Sequence, residues 1–481
     1  MSKNPPVGEI KKLVSLVDRS DFDEFVFPQD STKTAFRPVP KPYQVLTQET
    51  AVWTFAGSPN WGQRMTFSVP WPWQSDFLTW IALRLKPSSW LPSEVLSRMA
   101  PNGTTYVPVN PEDLFVWAKS LGTIVIERAE LEVDGVILET FSGDWINVWN
   151  KLYHGVSNGA AYDDGVYNSN TVVTPNNISA SEDGYIYCYL PFMFSKHVNT
   201  AFPILSSQGP DTIRFHITLR PFSQVIRKIQ TPLSCNQTPC GTTFTVRDYS
   251  YPYRQFTDIT IPFRVPSFET ADIVCGISNV NDAMRRAYIE KPHEILFSPV
   301  VETTFAEPLK YVTNRSAGAS IHVSLPLTDA NGPIRQILFF LRRNASVALF
   351  NDWNNYSAVL ENELDTTWNP SRPLLQHAQL QVGTAVWADQ DERWWRAVNS
   401  VVMPGGVRGY GNYIYGYNFA DQPAEFSPSG SVNASRVDMK LNLTVAAPGG
   451  AADGEWSVTV FYISHNWLRF QNGLANMVFM D

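Results

Sequence analysis

Apolar and polar residues alternate along several short stretches of this chain. Ile213, Phe215, Ile217 and Leu219 alternate with Arg214, His216 and Thr218, and Val437, Met439, Leu441 and Leu443 alternate with Asp438, Lys440 and Asn442. A period of two sends successive side chains to opposite faces, so each stretch predicts a strand with one buried and one solvated face. Phe77 to Leu85 is almost continuously apolar, the pattern of a strand covered on both faces. Helical periodicity is brief. Gly143 to Leu152 places Trp145, Val148, Trp149 and Leu152 at i, i+3, i+4 and i+7, with Ser142 as candidate N-cap. Asp389 to Val402 repeats the stripe with Trp394, Ala397, Val398 and Val401, with Asp389 as candidate N-cap. Asp282 to Glu290 predicts a third short helix, stopped by Pro292.

The predicted elements come in two sets. Met65-Thr-Phe-Ser-Val-Pro70 resembles Ile321-His-Val-Ser-Leu-Pro326 at an offset of 256, and Phe77–Lys86 resembles Ile334–Arg343 at 257. Ala129–Val133 matches Ala378–Val382 at 249, Tyr185–Tyr189 matches Tyr413–Tyr417 at 228, and Ile213–Ile217 resembles Val437–Leu441 at 224. More weakly, Ile277-Ser-Asn279 aligns with Ile463-Ser-His465 at 186. Ordered matches with a falling offset mean one unit present twice, with extra length in the first copy. The fall from 249 to 228 assigns 21 extra residues to 155–183, and the fall from 224 to 186 assigns 38 to 227–270. Both stretches have the Gly, Asn, Asp and Pro content of loops.

The reading is all-β: tandem β-sandwiches with a short helix inserted in each copy, and the jelly roll is the usual way to arrange about eight strands in two facing sheets. We divide the chain into an N-terminal arm (1–35), a first jelly roll (36–283), a helical linker (284–294) and a second jelly roll (295–481).

Composition narrows the function. Charged residues are 17% of the chain, below the ~25% of typical proteins, while aromatics reach 13%, so the chain has ample material for cores and is not disordered. Pro (35) outnumbers Gly (27), which disfavours long helices. A net charge of −8 disfavours direct nucleic-acid binding. Residues 1–20 lack the apolar core of a signal peptide, and the most apolar stretch, Tyr185 to Phe194, is too short to span a bilayer. Four cysteines (Cys188, Cys235, Cys240, Cys275) are too few for a disulfide scaffold, and Cys235 and Cys240 read as free loop thiols.

Several segments resemble the major capsid protein of the nucleocytoplasmic large DNA viruses. Gly122 to Leu152 is similar to that family's strand followed by a Gly-Asp-Trp helix. Asp272 to Pro299, with Arg285 and Arg286, resembles the segment joining its two jelly rolls. Tyr417 to Asp438 is close to its most recognisable run, with Pro423, Pro428, Ser429, Gly430 and Asn433-Ala-Ser-Arg436 in place, and Trp467 to Phe479 resembles its closing segment. The resemblance covers residues 36 to 481. It implies a double jelly roll, homotrimers forming nearly hexagonal capsomers, an icosahedral shell assembled in the host cell cytoplasm, and contacts with neighbouring capsomers and minor capsid proteins.

Candidate chemistry is weighed against packing. Gly155-Val-Ser-Asn-Gly159 matches a nucleophile pattern, but a helix precedes it where a strand is needed. Gly405 to Gly411 does not match the phosphate-cradling spacing. The seven histidines show no metal-ligand spacing. Glu127, Glu130, Glu132, Asp134 and Glu139 offer paired carboxylates, and a solvated outer strand face accounts for them, because Gln379 and Gln381 stand there in the second copy. Trp53, Trp61, Trp71 and Trp73 suit a sugar platform or, as we favour, core and interface packing. We therefore assign no catalytic, cofactor or metal residue. The alternative to a shell protein is a two-domain jelly-roll hydrolase acting on glycans, or a carbohydrate-binding protein.

The connections 87–120, 192–211, 227–270, 344–373 and 420–435 are expected at one outward end, available for glycans or a host surface. Eight N-x-S/T sites occur, most of them by chance, and Asn102, Asn344 and Asn355 lie on these connections as candidates for glycosylation. The arm is expected to reach a neighbouring subunit or an inner minor protein.

Overall fold

A computed structural model describes residues 46–71, 75–88, 105–106, 115–153, 185–207, 209–228, 244–245, 265–306, 320–360, 371–398, 413–421, 428–446 and 455–478. The arm 1–35, the insertion 155–183, most of 227–270, Asn102, Cys235, Cys240, Trp73 and the motifs at 155–159 and 405–411 lie outside the described residues.

The first unit contains β1 (Leu46–Thr54), β2 (Arg64–Ser68), β3 (Phe77–Pro87), β4 (Ile126–Val133), β5 (Val136–Phe141), β6 (Ile186–Tyr189), β7 (Phe202–Pro203), β8 (Ile213–Leu219) and β9 (Phe268–Val280). After β10 (His293–Phe297), the second contains β11 (Val300–Phe305), β12 (Ser320–Pro326), β13 (Pro333–Arg343), β14 (Leu375–Val382), β15 (Ala385–Asp391), β16 (Ile414–Asn418), β17 (Val432–Asn433), β18 (Met439–Ala446) and β19 (Trp456–Ser464). Then come β20 (Asn466–Gln471) and β21 (Leu474–Met477). The helices are α1 (Leu121–Ile124), α2 (Gly143–Tyr153), α3 (Asp282–Glu290) and α4 (Asn344–Phe350).

The first unit folds into sheets β1-β9-β3-β6 and β2-β8-β4-β5, with β7 also on β3; the second repeats this as β11-β19-β13-β16 and β12-β18-β14-β15, with β17 on β13. Every strand of the first set has its counterpart ten labels on, so the chain is a double jelly roll. A third sheet, β10-β20-β21, joins the strand after the linker helix to the end of the described chain. Alternate residues of β8 (Ile213, Phe215, Ile217, Leu219) and β18 (Met439, Leu441, Leu443, Val445) are buried, as period two predicts, and one continuous apolar core runs from Trp53 to Ala475 through both units.

Register corrects five of the six sequence offsets, by one or two residues: β2/β12 stand at 258 rather than 256, β6/β16 at 227 rather than 228 and β8/β18 at 226 rather than 224, while 249 holds for β4/β14. The β3–β9 ladder passes over Thr79 between Leu78↔Ile277 and Trp80↔Gly276, and the β13–β19 ladder passes over Arg335 between Ile334↔Ser464 and Gln336↔Ile463. Phe77↔Pro203 and Leu78↔Phe202 recur as Pro333↔Asn433 and Ile334↔Val432. The bulge sets the offsets at 256 for β3/β13 and 187 for β9/β19, against 257 and 186 from the matched residues, and the short pairing strand gives 256 for β3/β13 as well. Phe77 to Leu85 is apolar at nearly every position, so neither face marked its own parity, whereas a one-residue slip exchanges the faces; in the structure Thr79, Trp80 and Arg84 are only half-buried, so the strand is not covered on both faces as expected.

Two further expectations change. The helix expected over 389–402 is replaced at its start by β15, which runs to Asp391, followed by a π-helical turn at Trp394–Val398; Asp391, not Asp389, accepts the Trp394 backbone N–H at 3.0 Å. Residues 399–402 lie outside the described residues. The connections also do not all share one end. Both β6 and β7 run antiparallel to β3, and Phe202 pairs with Leu78 at the start of β3, so 192–211 sits at the end opposite to the connection leaving Pro87. Val432 pairs with Ile334 at the start of β13, which puts 420–435 likewise opposite to 344–373. Described parts of 87–120 and 227–270 do meet, Phe115–Trp117 pairing with Ile226–Lys228 and Thr105–Tyr106 with Phe244–Thr245.

Candidate functional site at the junction of the two units

Charged and polar groups are buried where the two units meet, and α2 sits there. Ser142 caps the helix, its Oγ accepting the Asp144 N–H at 3.1 Å. Gly143 is required by close approach, since a Cβ there would lie 2.2 Å from the Thr123 carbonyl oxygen and 2.6 Å from that of Ile126. Trp145, Val148, Trp149 and Leu152 are buried as the stripe predicts, but so are Asp144, Ile146, Asn147 and Asn150. The helix is covered on its second side by the outer face of the β11-β19-β13-β16 sheet.

The contacts across this junction are specific. Trp145 packs on Phe461, with ring centroids 5.2 Å apart. The Asn147 amide donates to the Tyr356 hydroxyl at 2.7 Å, and the Tyr153 hydroxyl donates to Gln336. The Arg342 guanidinium donates to both Asp144 carboxylate oxygens, at 2.8 and 3.0 Å, and to the Trp353 carbonyl at 2.8 Å. Burial works against the Arg342 charge, but Asp144 outweighs it and holds the guanidinium above its ordinary value. The Glu302 carboxylate accepts from the Ser142 N–H (3.1 Å) and hydroxyl (2.9 Å). Burial first, and the Asp144 charge second, push Glu302 up to about 7.

Further along, the Arg220 guanidinium lies 3.6 Å from the centre of the Trp353 ring. Asn351 donates to the Ser223 and Ile226 carbonyls, and the Trp353 indole to that of Gln224. Buried Glu139 accepts from the Met193 and Val300 N–H groups, while Lys196 donates to the Ser298 carbonyl. Burial pushes the Lys196 ammonium down to about 8 and the Glu139 carboxyl up, each opposed by the other's charge. These buried charged groups are thus paired across the junction, which fixes one relative arrangement of the units, although Trp145 Nε1 and Asn150 Oδ1 of α2 are buried without a hydrogen-bond partner among the described residues.

The acidic cluster is not a solvated face. Glu130 is buried and held by Arg64 (2.7 Å) and Arg128 (2.8 Å), and Glu139 is buried as described. Glu132 pairs with Arg214 and His216, and Asp134 accepts the Ala475 N–H at 2.9 Å. Only Glu127 is freely exposed. Each buried acid has its own partners, so the group serves pairing between strands and units; the expectation failed because Gln379 and Gln381 do not reveal the arginines opposite the glutamates. Trp53 stacks on Phe215 in the core, Trp61 packs among Trp117, Phe222 and Phe268, and Trp71 is exposed, so these three do not share a sugar-binding plane. Asn344 is half-buried at the start of α4; Asn355 is half-buried, its amide donating to the Val359 carbonyl and accepting from Ser357. Among the described residues no three His, Cys, Asp or Glu side chains gather as metal ligands, and no helix is long and apolar enough to cross a membrane.

The sequence analysis missed Arg342, Glu302, Tyr356, Arg220 and Lys196. One signal was present: Arg342 and Arg343 end the apolar run matched to Phe77–Lys86, and a buried charge demands a partner.

Comparisons with known proteins agree with this architecture. Residues 34–243 match the family described as major capsid protein N-terminus, and residues 285–476 match large eukaryotic DNA virus major capsid protein. The major capsid protein of Pyramimonas orientalis virus is 22% identical over 460 residues, spanning 93% of this chain and 94% of that protein. That of Chrysochromulina ericina virus is 21% identical over 335 residues, spanning 63% of this chain and 53% of that protein. Among solved structures, the PBCV-1 capsid protein VP54, fitted into a reconstruction of the virophage Sputnik, superposes with a TM-score of 0.65 at 16% identity, covering 93% of this chain and all of that one. The Faustovirus major capsid protein gives 0.64 at 12% identity, covering 97% of each chain.

Proposed function

This chain belongs to the major capsid proteins of the large eukaryotic DNA viruses, and from that premise we propose that it forms homotrimeric, pseudo-hexagonal capsomers that tile an icosahedral shell. Its role is structural rather than enzymatic, and its place is the virion capsid, where it assembles with copies of itself.

One observation carries the trimer: each unit displays the unmatched half of the interface that joins them internally. In the first unit the outer face of β1-β9-β3-β6 corresponds to the sheet that α2 covers in the second. There Trp80 stands for Gln336 and Lys86 for Arg342, by the corrected offset. Val52, opposite Val274, stands for Glu302, opposite Phe461, and is 46% exposed. This face bears a cavity of about 480 Å³ lined by Thr50, Thr79, Trp80, Tyr189 and Lys196. In the second unit the turn corresponding to α2, with the strand before it, exposes Val386, Trp387 and Val398. A chain with complementary halves on two flanks associates head to tail, and such a contact closes into a ring or runs on as a filament. Closure at three chains sets six jelly rolls around one axis.

Weighing the particle in solution tests this. A stable species at three times 54.2 kDa is expected. Trp387→Glu together with Val398→Glu should give folded monomers; a wild-type monomer, or a double variant that remains trimeric, counts against the reading.

The finer parts of the proposal follow the same logic. The division at 35, 283 and 294 treats the arm and α3 as separate from the two jelly rolls. The end bearing 87–120, 227–270 and 344–373 faces outward, where glycans at Asn102, Asn344 or Asn355 would meet a host surface. Intact mass and glycopeptide mapping of virions decide that point. The arm reaches a neighbouring capsomer or minor capsid protein during assembly in the host cytoplasm. Removing residues 1–35 should lower shell yield while the trimer stays folded, and an unchanged yield speaks against it.

A further inference from the structure

We propose that Glu302 is a proton-operated latch between the two jelly rolls, closed when its carboxyl carries a proton and loosened when the proton leaves. The geometry starts from an imbalance. Two carboxylates, Asp144 and Glu302, meet at the start of α2, bridged by one residue, Ser142, whose Oγ accepts the Asp144 N–H and donates to Glu302 Oε1. Arg342, whose charge acts on Glu302, is committed to Asp144 through both terminal nitrogens and to the Trp353 carbonyl. Glu302 is left with the two donors of Ser142, on two different jelly rolls.

The charged and titratable surroundings reinforce this. From α2 Asp144 repels the Glu302 charge, while Arg342 of β13 opposes that repulsion. Arg220, at the end of β8, feels both Asp144 and Glu302, but its Nε is engaged by the Ile124 carbonyl and its plane lies on Trp353. Tyr356 stays protonated, because burial and both acids push its hydroxyl far up. On β5 Glu139 carries its own partner, Lys196, and Glu127 and Arg128 of β4 and Asp329 line the same groove, of about 700 Å³, between β5 and β11. Glu302 lines this groove as well, so solvent protons have a route to it.

The sign follows from linkage. The Glu302 carboxyl titrates near 7 in the folded chain against about 4.5 as a free side chain. Its contribution to stability is therefore fully present below about 4.5 and is lost as pH rises through about 7. Local opening of the junction should become about tenfold more frequent between pH 6 and 8, since over that interval the closed form gives up a proton that the open form has already lost. This is a property of one chain and does not rest on the trimer: a monomer with this pH profile would sink the trimer alone, and a flat profile in a trimer would sink the latch alone.

The test is hydrogen exchange of the full chain from pH 5.5 to 8.5, corrected for intrinsic exchange rates and read on peptides covering 142–153 and 300–305. Wild type should lose about tenfold protection between pH 6 and 8. Glu302→Gln should remove that tenfold loss, leaving only the shallower dependence that Glu139 and Lys196 contribute. Ser142→Ala, which removes one donor to the carboxylate, should move the wild-type midpoint to higher pH. A flat wild-type profile overturns the latch even if Glu302→Gln fails to fold. So does a Glu302→Gln profile as steep as the wild type, or a midpoint that Ser142→Ala leaves in place.

Discussion

The two jelly rolls share one strand order and three bulge positions (Thr79/Arg335, Glu127/Gln376 and Leu138/Trp387), yet the sides they cover differ. In the first, eleven residues form α2, which is buried nearly all round because it has the second unit's sheet as a neighbour. In the second, the described part of the corresponding stretch is helical from Glu392 to Val398, with Trp395 in the core and Val398 exposed. The sheet faces differ in the mirror sense: Arg342 is spent on the other unit, while Lys86, its counterpart, meets Glu269 on its own sheet. Within one fold, position in the series of units decides which surfaces carry buried charge and which stay open for another copy.

The largest effect that should separate the two sides is at Arg342. Arg342→Ala strands Asp144 in the junction and should cost about 3–5 kcal/mol in denaturant unfolding, the usual penalty for breaking a buried pair. Gly143→Ala should follow at about 1–3 kcal/mol, because its Cβ meets the Thr123 carbonyl; the second unit has Glu392 at the matching position, so this crowding belongs to the first alone. Tyr153→Phe removes the hydroxyl bond to Gln336 and should cost about 1 kcal/mol in the same measurement. Lys86→Ala, losing a pair whose partners are 28% and 49% exposed, should cost less than about 1 kcal/mol. Equal losses for Arg342→Ala and Lys86→Ala would erase the distinction between the covered and the open face.

Much of this was legible in sequence because it is local. Alternation in β8 and β18, the α2 stripe with its Ser142 cap, and the helix ending before Pro292 each follow from residues within a few positions of one another. The ordered repeat then made two units of them. The expectations that failed concern partners far away in sequence. Glu130 looked solvated because Arg64 lies 66 positions off, and the placement of 192–211 depended on β7 pairing with the start of β3.

What the sequence determined by itself is the number of units, the identity of nearly every long strand and the family, since these rest on periodicity and on motifs read in place. Tertiary structure alone decided the register between the units, the face each strand presents and the junction chemistry. Asp144 and Arg342 are 198 positions apart, and Glu302 and Ser142 are 160. Neither residue of either pair carries a local pattern that names the other; folding brings them together, and the low polarizability of the buried junction turns that proximity into a strong interaction.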